Sequence, residues 1–213
     1  MHSSANDELK LAQRLALSYA PGHAREAALT LMLLDNRLSA ILRQKGEVMI
    51  AQIKLAWWRE RLGEDPVKWP RGEPLLERLQ ALPIAPQKLV PLVDGWEILL
   101  EERLEEASLH QFATGRAAGW AALAGGEAAN ASRVAEEWAL ADLALNLDDE
   151  QEAERARAIL HKSDARSPRL PRSLRPISVL HGLSMRSLKR GTNDLLDGPG
   201  AMLVALRIGM MGR

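Results

Sequence analysis

The chain has 213 residues, 46% hydrophobic and 26% charged, a composition typical of a single soluble globular domain. Lys plus Arg and Asp plus Glu both number 28, so the formal net charge is zero and provides no bulk attraction to nucleic acid. Cysteine is absent, which excludes disulfides, thiolate zinc sites and a cysteine nucleophile.

Neither end of the sequence has the pattern of a targeting or membrane-spanning segment. The first 20 residues lack the basic-then-apolar order of a signal peptide. The apolar run near the C-terminus is interrupted by Arg207 and is shorter than the roughly 20 residues that a membrane span needs. The five histidines are scattered without metal-ligand spacing. We therefore expect a cytoplasmic protein with at most peripheral membrane contact, no metal site and no cofactor.

Ala, Leu, Glu and Arg dominate and β-branched residues do not alternate as they do in strands, which predicts an all-α protein. Proline, glycine and capping residues predict the helix boundaries. The first helix is expected to be capped by Asn6 or Asp7 and to end near Tyr19. Further helices are predicted at 23–44, 47–62, 75–81, 91–106, 108–125 with Ser108 as its cap, 127–147 and 177–189.

Three later segments also carry predictions. Asp148, followed three residues later by Gln151, is interpreted as a helix cap rather than a metal ligand. Residues 163–176 are basic and contain proline, so an extended linker is expected, which could also serve as an anion-contact strip. The apolar residues 200–211 are expected to dock on the body of the protein, or on a second copy, through one buried stripe.

The most distinctive segment is VMIAQIKLAWWRERL at residues 48–62, because Trp57 and Trp58 are adjacent in a chain with only six Trp. Neighbouring residues of a helix point about 100° apart. We therefore expect one indole to face the interior and the other to line a groove or a second surface; burial of both rings is the alternative. Lys54 and Arg59 place cations beside the indoles, which suits an anionic ligand with an apolar tail.

Residues 31–62 resemble the early helix pair of the squalene/phytoene synthase family. The residues that carry this resemblance are Leu34, Asp35, Arg37, Leu38, Lys54, Leu55, Trp57, Trp58, Arg59 and Leu62. A second helix pair, residues 91–125, resembles the family through Leu92, Asp94, Gly95, Leu109, Gly115 and Gly119. The resemblance covers about residues 10–125. It implies one isoprenoid-synthase-type helical bundle over 1–213, expected to lack part of the family's C-terminal region.

The sequence departs from the family at its acidic motifs. Active members carry DDxxD on the first helix, where carboxylates one turn apart bind Mg²⁺ and hold a substrate diphosphate. The corresponding residues 39–43 here read SAILR and contain no carboxylate. The second acidic motif is also missing, which leaves Asp142 alone on an otherwise apolar helix. The resemblance therefore implies a protein without catalytic residues.

A central cavity is expected between the helices that carry Asp35 and Trp58 and those that carry Asp94 and Gly115. Tight helix packing at the small residues Gly115, Ala118 and Gly119 is the alternative. The predicted ligand-binding residues are Asp35, Arg37, Lys54, Trp58, Arg59, Asp94 and Arg116. Four of them, Arg37, Lys54, Arg59 and Arg116, could hold an anionic head group by charge-assisted bonds.

The leading hypothesis is a catalytically impaired squalene/phytoene synthase-like protein that binds an isoprenoid or an anionic lipid. A role in assembly of a membrane complex is implied by resemblance to the family's complex I assembly branch. The first alternative is an active prenyl diphosphate transferase that uses Mg²⁺ and carboxylates from Asp35, Asp94, Asp142 and Asp148. The second is a helical interaction module with a protein partner or a homodimer and no small ligand.

Overall fold

The computed structural model describes residues 8–44, 47–162 and 168–212. Within these residues the chain is all-α, as predicted, and contains no strand. The helices are α1 Leu11–Ser18, α2 Gly22–Arg43, α3 Val48–Gly63, α4 Pro74–Gln80, α5 Val90–Ile98, α6 Glu106–Leu123, α7 Ala128–Asn146, α8 Glu150–Lys162, α9 Arg175–Arg190 and α10 Gly198–Met211.

Helices α6 and α7 pack along each other at the centre of the molecule. On one side, α5 lies against α6 and α3 lies against α5. On the other side, α8 and α9 lie against α7, while α1 and α10 both contact α9. All ten helices contribute buried apolar side chains to one continuous cluster, so one core joins the described helices.

The first helix begins later than the sequence predicts. Its N-terminus is at Leu11, where the backbone amide of Lys10 donates to the Gln13 side-chain oxygen at 3.0 Å. This bond satisfies an amide at the start of the helix, as a capping box does. The predicted cap residues, Asn6 and Asp7, lie outside the described residues.

The predicted helix over 91–106 is too long, because α5 ends at Ile98. The following segment is held away from helical geometry by α8. The Leu104 amide donates to the Glu152 carboxylate at 2.8 Å instead of to a helical carbonyl. Ser108, predicted as a cap, lies inside α6, where its hydroxyl donates to Glu101 at 2.6 Å. Both of these predictions are wrong.

The acidic pair before α8 does act as a helix cap, but through its second residue. The Asp149 carboxylate accepts from the backbone amides of Gln151 and Glu152 at 2.8 and 3.0 Å. The interpretation as a cap is confirmed, and its position moves by one residue from Asp148.

The extended linker expected over 163–176 is shorter than predicted. Residues 163–167 lie outside the described residues. A 3-10 turn forms at Arg172–Leu174 and α9 begins at Arg175.

The C-terminal segment docks on the body of the protein, as expected. Ala201 and Ala205 are fully buried against the core. Gly182 of α9 leaves the space that the Ile208 side chain fills, since a Cβ at residue 182 would collide with it. Helix α10 is thus held along one stripe, and its opposite face points outward.

Helices α5 and α6 touch backbone to backbone at Gly95 and Gly115. A Cβ on Gly115 would lie 2.8 Å from the Gly95 Cα and would collide with the Pro91 carbonyl oxygen. At Gly119, a Cβ would lie 3.0 Å from a methyl group of Leu31. The alternative of tight packing is therefore correct at these glycines, which leave no room between the described helices for the cavity expected there.

Substitution Gly115→Ala should destabilise the fold by about 1–3 kcal/mol or more, because neither backbone can yield to the added methyl group. The matched control is Gly63→Ala at the end of α3, where a Cβ meets nothing within 4 Å. That change should keep or slightly raise stability. Urea unfolding followed by circular dichroism measures both. Equal stability of the two variants would contradict the close α5–α6 contact.

Candidate functional site

A buried guanidinium lies where α2, α5, α6 and α7 meet. Arg116 of α6 is only 5% exposed. Its Nε lies 3.0 Å from Asp35 Oδ1 and its Nη2 lies 2.8 Å from Asp35 Oδ2. Its Nη1 donates to Asp142 Oδ2 at 2.7 Å. The Arg116 guanidinium therefore forms a bidentate pair with the carboxylate of α2 and binds the carboxylate of α7 through its remaining nitrogen.

Aromatic rings surround the ion cluster. The Arg116 Cζ lies 4.0 Å from the Trp138 ring centre, 5.0 Å from that of Trp96 and 5.8 Å from that of Phe112. The Trp96 indole also donates from Nε1 to Asp35 Oδ1 at 2.8 Å. Ring faces attract a guanidinium, and these large side chains bury most of it.

Charges inside apolar helices need partners, because an unpaired buried charge is costly. Burial on its own would lower the pKa of Arg116, but the attraction of Asp35 and Asp142 outweighs it, so this pKa lies above its ordinary value. Arg116 therefore stays charged at every pH at which the protein is folded. With two ionised carboxylates, the cluster has a net charge of minus one.

The Arg116 guanidinium lies between two carboxylates, in the place that a metal cation would have to occupy to bind both. For Asp35 and Asp142 to bind Mg²⁺ together, both would have to release the guanidinium. The buried cation of Arg116 would then have no partner. Among the described residues, no three His, Asp or Glu side chains come together in a way that could hold a metal ion. The arrangement is that of a structural ion cluster.

A small polar pocket reaches the cluster from the surface beside α1 and α7. Its volume is about 200 Å³, below the range of about 300–1,000 Å³ typical of small-molecule sites. Arg116, Trp138 and Asp142 form its floor, while Lys10 and Asn193 lie among the residues of its wall. Asp142 is the more accessible of the two carboxylates for this reason.

The structure brings together two separate pairs of the predicted ligand-binding residues. Asp35 and Arg116 meet in the buried cluster. Arg59 and Asp94 meet at the surface, where Arg59 Nε lies 2.6 Å from Asp94 Oδ1 and a second nitrogen bonds Glu97. Burial would lower the pKa of Arg59, but the bonds to Asp94 and Glu97 raise it overall.

Two further predicted residues stand apart from both pairs. Arg37 faces Glu73, with 3.5 Å between the charged atoms. Lys54 donates to the side chain of Gln44 at the surface. The predicted residues therefore do not form one site, and their role in binding a ligand stays a prediction.

The tryptophan pair divides as the helix geometry predicts. Trp58 is 4% exposed and belongs to the core, whereas Trp57 is 37% exposed. Their ring centres are 5.0 Å apart in an edge-to-face arrangement. Trp57 continues an exposed apolar stripe of α3 that includes Met49 and Ile53. The expectation of one inward and one outward indole is confirmed, and burial of both rings is excluded.

A larger cavity lies elsewhere, between α7, α9 and α10, and is called the α9–α10 groove below. Its volume is about 890 Å³. Its lining includes Val134, Pro168, Ser178, His181, Gly182, Met185, Arg186, Lys189, Arg190, Val204, Arg207, Ile208, Met211 and Gly212. None of these residues is acidic, so the groove combines apolar walls with four cationic side chains.

This groove was not predicted from the sequence. The only available signal was the cluster of Arg186, Lys189 and Arg190, and cations in the last turn of a helix are usually explained by the helix dipole. The pairing of Asp142 with Arg116 had a clearer signal in the sequence. Each is a lone charge within an apolar helical stretch, and a buried charge needs a partner of opposite charge.

Comparisons of the chain with protein-family models, curated proteins and solved structures give no match. The family resemblance therefore stays a prediction.

Removing the central cation should be far more damaging than neutralising the whole cluster. Arg116→Ala should lower the free energy of unfolding by about 3–5 kcal/mol, because it leaves the buried carboxylate of Asp35 and the partly buried carboxylate of Asp142 without this cation. The triple variant Arg116→Met, Asp35→Asn, Asp142→Asn should recover most of this loss. Denaturant unfolding curves measure both variants.

The control is Arg103→Ala, which removes an exposed cation 3.9 Å from Glu105 and should change stability by less than about 1 kcal/mol. If the triple variant is as unstable as Arg116→Ala, lost packing rather than stranded charge explains the effect, and the electrostatic account of the cluster is wrong.

Proposed function

We propose that this protein is a non-catalytic, squalene/phytoene synthase-like binding protein that holds an anionic amphiphile, an isoprenoid or an acidic lipid, in the α9–α10 groove. The observation that carries this proposal is the groove itself, since its apolar walls and cationic side chains match the two chemical halves of such a ligand. The volume falls within the usual range for small-molecule sites.

The apolar half of the ligand would lie against the walls of the groove. Val134 comes from α7, Met185 from α9, and Val204, Ile208 and Met211 from α10. An alkyl or prenyl chain gains free energy in proportion to the apolar area that it removes from water.

The anionic half would be bound by the cations of the groove. Arg186 and Arg190 are both anchored by Asp197: Arg186 Nη2 donates to its backbone oxygen at 2.8 Å, and Arg190 Nε lies 3.2 Å from its carboxylate. Lys189 and Arg207 are exposed and pair with no carboxylate among the described residues. Charge-assisted bonds from such side chains to phosphate are the strong class of hydrogen bond.

The closed ion cluster supports the non-catalytic part of the proposal. Ionisation of a prenyl diphosphate depends on metal ions that neutralise the departing diphosphate. Asp35 and Asp142 already hold Arg116, and Asp94 holds Arg59. Among the carboxylates of the transferase alternative, only Asp148 remains without a cation in the described structure.

Binding can be tested by calorimetry without Mg²⁺, using farnesyl diphosphate and, separately, a short-chain phosphatidylglycerol. At least one of them should bind, and farnesol or pyrophosphate alone should bind much more weakly because each lacks one half of the ligand. Lys189→Glu should weaken binding by about tenfold or more. Ser178→Trp should block the groove.

The matched control is Arg71→Glu, a charge reversal at an exposed arginine in the loop before α4, which should leave binding unchanged. Circular dichroism verifies the fold of each variant. Absence of binding by both probes, or binding that neither groove substitution alters, would contradict the proposed site.

Incubation with farnesyl or geranylgeranyl diphosphate and Mg²⁺ should release no pyrophosphate above the protein-free rate. A pyrophosphate-release assay measures this directly. Release that disappears in Asp35→Ala or Asp94→Ala would instead establish the transferase alternative.

A further inference from the structure

The outward face of α10 is apolar, and none of the residues that the structure describes covers it. Met202, Leu203, Leu206 and Met210 are between 47% and 65% exposed. Successive helix residues turn by about 100°, so these four side chains occupy one arc of about 100° along the helix. Large apolar side chains clustered in this way usually mark a contact surface.

The other faces of the helix pack against the body of the protein or line the groove. Ala201 and Ala205 are buried in the core, and Val204 and Ile208 line the α9–α10 groove. Gly209 packs against the ring of Tyr19 from α1. The exposed arc is therefore a part of α10 that the described residues leave uncovered, and covering it requires no rearrangement of the described fold.

Basic side chains border this arc, and Asp197, the acidic residue immediately before α10, is paired with Arg190. Arg207 is the only charged residue of α10 and lies at the border between the arc and the groove. Lys189 and Arg190 at the end of α9 line the same groove. Clusters of basic side chains beside an apolar helix face are attracted to anionic lipid headgroups.

From this combination we infer that the outward face of α10 docks on an anionic membrane surface. The helix has 14 residues and is about 21 Å long, so it fits the plane of the interface. No described helix is long and apolar enough to cross a membrane. A second copy of the chain fits the arc less well, because a two-fold contact would bring the Arg207 side chains and their basic neighbours close together.

This inference needs no ligand in the groove, and so it can fail independently of the proposed function. Co-sedimentation of the full chain with vesicles tests it, using phosphatidylcholine alone and an equal mixture of phosphatidylcholine and phosphatidylglycerol. Binding should be strong to the mixture, weak to phosphatidylcholine, and reduced by added salt. The double variant Leu203→Gln, Leu206→Gln should reduce binding by about tenfold or more.

The matched control is Met49→Gln, Ile53→Gln, which removes two equally exposed apolar side chains from α3. It should leave vesicle binding unchanged, as should the groove-blocking Ser178→Trp. No binding to the mixture, or binding that depends on the α3 residues instead, would overturn the inference. A dimer in analytical ultracentrifugation that the α10 variant dissociates would assign the face to self-association and would also overturn it.

Discussion

The contact of Arg116 with Asp35 and Asp142 determines what the centre of this bundle can do. It joins α2, α6 and α7 through charges that cannot be left unpaired in an apolar interior. The same contact fills the space that two metal-binding carboxylates would otherwise face. Backbone contact between Gly95 and Gly115 closes the region next to it. The centre is consequently a structural element, and the space for a ligand lies at the periphery.

The molecule instead presents a cavity of about 890 Å³ where α9 and α10 pack together. Gly182 lets Ile208 approach α9, and the crossing leaves a groove with apolar walls and basic edges. The outer face of α10 adds an exposed apolar arc next to the same basic residues. A ligand with an apolar chain and an anionic head group matches the groove, and a membrane surface built from such molecules matches the arc. The reason is the same in both cases, because each feature places apolar side chains beside cationic ones.

Local patterns in the sequence were sufficient for the helical class, for the opposite exposure of Trp57 and Trp58, and for the docked C-terminal helix. Helical periodicity cannot give the partner of a buried charge, because Arg116 lies 81 residues from Asp35 and 26 from Asp142. For the same reason, an open centre was expected between helices that pack backbone to backbone at Gly95 and Gly115. The groove was not foreseeable either, since it depends on the angle at which α9 and α10 cross.

The most direct test of this account is nuclear magnetic resonance of the Arg116 guanidinium. If the cation is locked between both carboxylates, its side-chain N–H signals should be individually resolved and protected from solvent exchange. They should also stay unchanged when Mg²⁺ and farnesyl diphosphate are added. Averaged, rapidly exchanging signals, or signals that shift on addition of Mg²⁺ and the diphosphate, would show that the carboxylates are free to bind metal and would contradict a closed centre.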